Sequence, residues 1–263
     1  MNHFAYRLTA ILILLILISA CSSSKHIRLQ GNRFDLPETL PSEQMTATVE
    51  FAGTTEVHLS PNENFYPADV NAPEFASKPG QAGLRIGYSP QPRWEIQVQT
   101  LPNLSRSLNG YPAIKAKYQF RGSDLRSAKK DDFSLAASAG LAYGQDESGT
   151  SGNPTYLNEM QLVMIDIGGI GGLRLTDNLL LYGGPFVTPI YFWGEDKIAS
   201  FNSEQQRDSF SGTAWQWGLN IGAAYFHGQS WSLQTELAYT GIHWKSSSDG
   251  FFHAGLQIVR FIE

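Results

Sequence analysis

The sequence predicts an all-β fold, an antiparallel up-and-down transmembrane β-barrel of about ten strands, with eight as the alternative count. Three observations carry this reading. From about residue 45 to the end, apolar and polar residues alternate with period two, the signature of strands with two unlike faces. The apolar faces carry aromatics near their ends, the girdle pattern of a membrane barrel. Charged residues make up only 16% of the chain beside 25 glycines, where an ordinary soluble domain carries about 25% charged residues.

The chain opens with an export signal. Arg7 supplies the positive flank, 8–18 an apolar run, and Ser19 and Ala20 small residues before Cys21, the only cysteine. The run is shorter than the roughly 20 residues a spanning helix needs, so 1–20 is read as a cleaved signal peptide. The sequence Ile18-Ser19-Ala20-Cys21 resembles the bacterial lipoprotein lipobox. The resemblance implies cleavage before Cys21 and acylation of that residue, and Ser22 in the next position implies sorting to the outer membrane. With no second cysteine, no disulfide stabilises the fold. Residues 21–44 are polar, Pro-punctuated and without period, and read as a lipidated flexible tether. Residues 45–263 form the barrel.

Strands are expected at 46–59, 82–89, 93–101, 112–121, 132–144, 160–175, 178–193, 213–226, 230–244 and 250–261. In 213–226, Trp215, Trp217, Leu219, Ile221 and Tyr225 share one face, and Gln216, Gly218, Asn220 and Gly222 the other. Trp94, Ile96 and Val98 oppose Glu95, Gln97 and Gln99; Ile114, Ala116, Tyr118 and Phe120 oppose Lys115, Lys117, Gln119 and Arg121. The girdles are Trp94, Tyr225 and Trp231 at one end, Tyr143, Trp215 and Phe192 at the other. Connections alternate between tight and longer, as a barrel with short periplasmic turns requires. By that rule both barrel termini face the periplasm, and the tether reaches the inner leaflet. Gly53 interrupts the first strand, and Pro185 and Pro189 predict a bulge or a shortened strand, because a closed barrel has no edge to absorb a missing N–H.

With apolar faces toward lipid, the opposite faces place Arg85, Glu95, Lys115, Lys117, Arg121, Asp166, Arg174 and Glu236 in the lumen. Both signs occur, so these groups can compensate one another as a structural polar network. Barrels of this strand number are narrow enough for side chains to fill, which predicts a largely plugged interior.

From about Thr46 onward the chain resembles the small outer-membrane barrels of the OmpA/OmpX-like class. The resemblance implies a C-terminal strand ending in an aromatic read by the assembly machinery. Here the run Gly255-Leu256-Gln257-Ile258-Val259-Arg260-Phe261 is followed by two further residues.

The functional expectation is a lipid-anchored outer-membrane barrel with a structural, surface-recognition or narrow-pore role and no catalysis. Its partners would be outer-membrane lipid and the lipoprotein-processing and barrel-assembly machineries. One alternative is a lipid A-modifying enzyme. His243 and Ser246 resemble the lipid A deacylase arrangement loosely, but their spacing does not aim both to one side of a strand. Another is a lipid-tethered soluble barrel with its apolar faces inward around a hydrophobic ligand. No metal-ligand spacing, nucleophile elbow or phosphate loop is present, so no metal or cofactor is expected. Scattered Lys and Arg and a net charge of −5 argue against nucleic acid.

Overall fold

Ten strands hydrogen-bonded in a closed ring form the body of the molecule, and an eleventh segment lies inside it. The computed structural model describes residues 25–59, 74–100, 113–150, 155–199, 206–244 and 247–262. Residues 1–20, read above as a signal peptide, and with them Cys21 and Ser246 lie outside the described residues. The elements are β1 (Lys25–Gln30), β2 (Met45–Leu59), β3 (Glu74–Gln91), β4 (Trp94–Thr100), β5 (Ala113–Arg121), β6 (Phe133–Thr150), β7 (Thr155–Thr176), β8 (Leu179–Ala199), β9 (Gln206–His227), β10 (Trp231–Trp244) and β11 (Ser247–Ile262). From β2 to β11 each strand pairs antiparallel with the next, and the β2–β11 ladder closes the ring.

Alternation decides the two faces. Ile221 is 66% exposed and its cross-strand partner Leu237 62%, while Glu236, next to Leu237 in the chain, is 2% exposed. Similar exposure at Ile114, Leu219, Phe252 and many others makes an apolar belt around the outside. Soluble monomers rarely expose apolar patches beyond a few hundred Å2, and a membrane removes that penalty. The alternative with apolar faces inward is therefore corrected: the apolar residues face out, and the polar ones in.

Tight turns at 92–93, 177–178 and 228–230 lie at one end, here the turn end, together with Met45 and Ile262. At the other end, the rim, β6 to β9 run well past the apolar belt. Strand β7 has 22 residues, β8 21 and β9 22, against the 14–16 expected. Seven residues separate Tyr143, a girdle residue, from the end of β6, so the wall rises roughly 20 Å above the girdle.

Irregularities correct three further expectations. Strand β8 passes through Pro185 and Pro189 with no bulge. The β7–β8 register holds through the prolines, losing pairs only around them, and shifts later, between Arg174 and Thr176, so the missing N–H groups fall on the β7 side. A register shift does occur between Gln119 and Arg121. It advances the alternation by one, so Arg121 leaves the lumen and sits exposed outside, its guanidinium 5.7 Å from the Phe133 ring. Phe192 belongs to the inward face of β8, fully buried and stacked on Trp244 at 4.3 Å, so it is no girdle residue.

The largest correction concerns 21–44. Within it, Leu29 to Leu40 are almost entirely buried. This strap runs through the lumen rather than hanging free. Its composition is polar because its partners are polar wall side chains far away in sequence.

Candidate functional site

The filled lumen is the chemically distinctive part of the molecule, and it is layered. At the rim end an apolar cluster forms from Leu29, Val57, Met160, Leu162, Phe192, Ile242 and Trp244. At the turn end a second gathers Leu36, Leu40, Leu180, Tyr182, Phe226, Val259 and Phe261. Between them lies a belt of charge, and the strap threads all three layers.

The strap enters as β1, whose register with β2 runs from Lys25 opposite Leu59 to Gln30 opposite Thr54. It takes the place beside β2 that β11 vacates beyond Phe51. Gly53 is the hinge of this exchange: β2 is bulged between Ala52 and Thr54, and Gly31 donates its N–H to the Gly53 carbonyl at 2.9 Å. Both glycines are required by close approach. A Cβ on Gly53 would lie 2.8 Å from the His253 side chain, and one on Gly31 would overlap the same imidazole. His253 Nε2 in turn meets Thr240 Oγ1 at 2.9 Å and Thr55 Oγ1 at 3.1 Å.

One turn further, the strap wraps a wall carboxylate. Arg33 and Phe34 donate successive backbone N–H groups to Glu236 at 2.6 and 2.8 Å, and Asn220 donates its side-chain amide at 2.9 Å. Successive N–H groups form a natural anion nest. Phe34 adopts a φ of 49°, a left-handed conformation unfavourable for a bulky residue, and the nest around Glu236 holds it there. The Arg33 side chain reaches Asp166 at 3.2 Å and Thr188 at 2.8 Å, over the Phe186 ring.

The remaining wall charges clasp the strap in sequence. Asp35 pairs with Lys115 at 2.6 Å and Arg85 at 3.5 Å; Lys115 also reaches Asp166 at 2.9 Å. Arg85 bonds Glu50 and donates to the strap carbonyl of Arg33, at 3.0 and 2.9 Å. Lys117 pairs with Glu95 at 2.8 Å and donates to the carbonyls of Leu36 and Glu38. Glu38 receives a two-pronged contact from Arg174, Nε to Oε1 at 2.8 Å and the terminal nitrogen to Oε2. Thr39 closes the series, donating to Gln119 Oε1 and accepting from the Leu125 N–H, both at 2.9 Å.

The structure therefore brings Arg85, Glu95, Lys115, Lys117, Asp166, Arg174 and Glu236 into one network and leaves Arg121 out. Sequence reasoning missed the strap's Arg33, Asp35 and Glu38 and the wall residue Glu50. The only signal for them is short: charged and apolar residues alternate over 33–36 and the pattern breaks at Pro37, too few residues to read as a period. On the wall, Arg85, Lys115, Lys117 and Arg174 face Glu50, Glu95, Asp166 and Glu236. Such compensation is needed, because an unpaired buried charge costs several kcal/mol, about 3–5 when one partner is removed.

A cavity of about 60 Å3 remains beside Arg33, Lys115, Asp166 and Gln216, room for water. Among the described residues no cluster of His, Cys, Asp and Glu could hold a metal. His243 is exposed on the outer face, opposite Trp215 of β9. Phe261 points inward against Phe226, ring centroids 6.4 Å apart, so the C-terminal aromatic does not face lipid.

A closed ten-strand ladder, an apolar exterior and a polar, filled interior define the class: an outer-membrane-type β-barrel. No protein-family model and no curated protein matches the sequence. Among solved structures, the chain is similar to Ail, the attachment invasion locus protein of Yersinia pestis, at 12% identity and a TM-score of 0.34, over 84% of this chain and 99% of that one. It is similar to Neisserial surface protein A at 10% identity and 0.34, over 83% and 95%. The outer membrane protease OmpT of Escherichia coli matches at 10% identity and 0.39, over 84% and 92%. At these values the class rests on the strand ladder and its two faces.

Proposed function

We propose that this protein is a lipid-anchored, non-catalytic outer-membrane barrel whose lumen is sealed by its own N-terminal strap and whose working surface is the projecting wall of β6 to β9. The observation that carries this is the strap itself. A continuous segment from Leu29 to Leu40 fills the lumen between two apolar clusters, which argues against the narrow-pore role. The wall supports surface recognition. Its strands stay paired past the apolar belt, through Glu159 opposite Glu195 and Lys197 opposite Arg207, so it presents a shaped polar face. Lys197 meets Glu159 at 2.5 Å and Glu195 at 3.8 Å, pinning neighbouring strands. The lipid anchor at Cys21 rests on the lipobox resemblance, and its partners are membrane lipid and the machineries that process lipoproteins and assemble barrels.

The test is expression of the full chain and of Cys21→Ala in a Gram-negative host. The wild type incorporates a labelled fatty acid and the variant does not. Both stay with the outer membrane and shift gel mobility on heating, and purified wild type in planar bilayers passes no steady current. Release of the variant as a soluble protein would overturn the membrane reading, and steady conductance would overturn the sealed lumen. Lipid A profiles that change with expression would replace this reading by the enzymatic one.

A further inference from the structure

The direction in which the strap crosses the barrel has a consequence for the anchor. The strap's partners advance in one direction. Lys25 pairs with Leu59, the rim end of β2; Gly31 meets Gly53; Arg33 and Phe34 meet Glu236 at mid-height. Thr39 then meets Gln119 and Leu125, and Glu43 donates to the carbonyl of Ser89 beside the 92–93 turn. The chain thus enters at the rim, crosses to the turn end, and only there begins β2. The eleven residues from Gln30 to Leu40 reach at most about 36–40 Å when extended, enough to cross a hydrocarbon core of roughly 30 Å.

We infer that Cys21 emerges at the rim, so that its acyl groups sit in the outer leaflet and the N-terminus lies at the cell surface, opposite to a tether on the inner leaflet. The inference rests on the lipid-anchor reading above and on the rule that tight turns face the periplasm. Reach decides it. Three residues, Ser22 to Ser24, lie between Lys25 at the rim and the acylated position, four chain steps that span at most about 14 Å. That is less than half the roughly 30 Å core, so the acyl groups cannot return to the inner leaflet around the outside. The lumen is no route either, because the strap and its two apolar clusters fill it. Acyl chains gain about 0.8 kcal/mol per buried CH2 in either leaflet, so the strap's direction, not the lipid, selects the leaflet. The barrel, on this geometry, threads its own lipidated N-terminus outward.

Cys21 is the only cysteine and has no free thiol once acylated, so one introduced cysteine reports its side of the membrane. Lys25→Cys marks the strap entrance, Asp249→Cys the rim and Gln229→Cys a tight turn, each probed with a membrane-impermeant maleimide on intact and on lysed cells. Lys25→Cys and Asp249→Cys are expected to label equally before and after lysis, and Gln229→Cys only after it. Lys25→Cys labelling only after lysis while Asp249→Cys labels on intact cells would overturn the inference. So would Gln229→Cys labelling on intact cells with the other two protected, which inverts the barrel. A wild-type chain that labels after denaturation has an unacylated Cys21; the lipid reading then fails, and with it the leaflet assignment, while the Lys25 result still scores the threading. Variants are compared only where the heat-dependent mobility shift shows a folded barrel, with Ser24→Cys as the substitute for Lys25→Cys.

Discussion

Arginine side chains in this barrel meet two opposite fates, and one backbone register shift separates them. Arg174 is 1% exposed, clamped on Glu38 and lying over Phe226 at 4.1 Å. Arg174→Ala leaves the Glu38 carboxylate buried and unpaired, a loss of about 3–5 kcal/mol, read as a lower unfolding temperature in detergent. Arg121→Ala removes only an exposed contact to Phe133 and should change stability by less than about 0.5 kcal/mol. Equal effects of the two substitutions would contradict the placement of Arg121 outside. Glu236 is the second test at this scale. Glu236→Ala deprives the Arg33 and Phe34 N–H groups of a charged acceptor, each bond contributing about 1.5–3 kcal/mol. Because Phe34 is held in a left-handed conformation by that acceptor, the strap near 33–35 should become accessible to protease in the variant. The parity of most strands was legible in the sequence, and Lys115, Lys117 and Glu236 could be read as inward from it, whereas Phe192 of β8 was assigned to the wrong face. Arg121 could not, because a bulge costs one residue of register and leaves no mark in the residue pattern.

At the scale of elements, the strap is the seal and the turns are local constructions. Deleting 25–40 removes the segment that links both apolar clusters and satisfies Arg85, Lys117 and Arg174, so the deleted barrel should pass ions in planar bilayers where the full chain does not. Gly31→Val places a side chain into the His253 imidazole and should partly unseat the strap, giving intermittent current and a lower heat-shift temperature. The 122–132 turn carries its own pH dependence. The Lys129 backbone N–H and then the Ser123 hydroxyl, each donating at 3.0 Å, hold the Asp132 carboxyl below its ordinary value of 3.8. A depressed folded pKa gives stability that is complete above the unfolded value and fades as pH falls through the folded one. The difference between wild type and Asp132→Asn should therefore be constant near neutrality and shrink as pH falls below about 4, as followed by thermal unfolding. The ten wall strands were legible because each is a period-two run bounded by turn residues. The strap was not, because its charges read as solubility until their ion-pair partners, 50 to 136 residues away, are placed opposite them. The rim extensions of β6 to β9 were missed for a related reason: their sequences are mostly polar and do not alternate.

For the whole molecule, the ring and the strap form one topological unit. Closing β11 on β2 encloses a segment that is itself paired to β2, so the strap must be in place when the barrel shuts. The lumenal ion pairs are buried and therefore little screened, so the heat-shift temperature should hardly move between low and high salt. A marked fall would mean that the pairs are open to solvent. The sequence by itself determined the barrel: alternation sets which face meets lipid, a shortage of charge marks a non-aqueous exterior, and turn spacing sets the number of strands. Only the tertiary structure decided what fills that barrel and from which side the chain enters it. Alternation is a local property, written in neighbouring residues. The strap's place and direction depend on pairings between residues that meet only once the ring has closed.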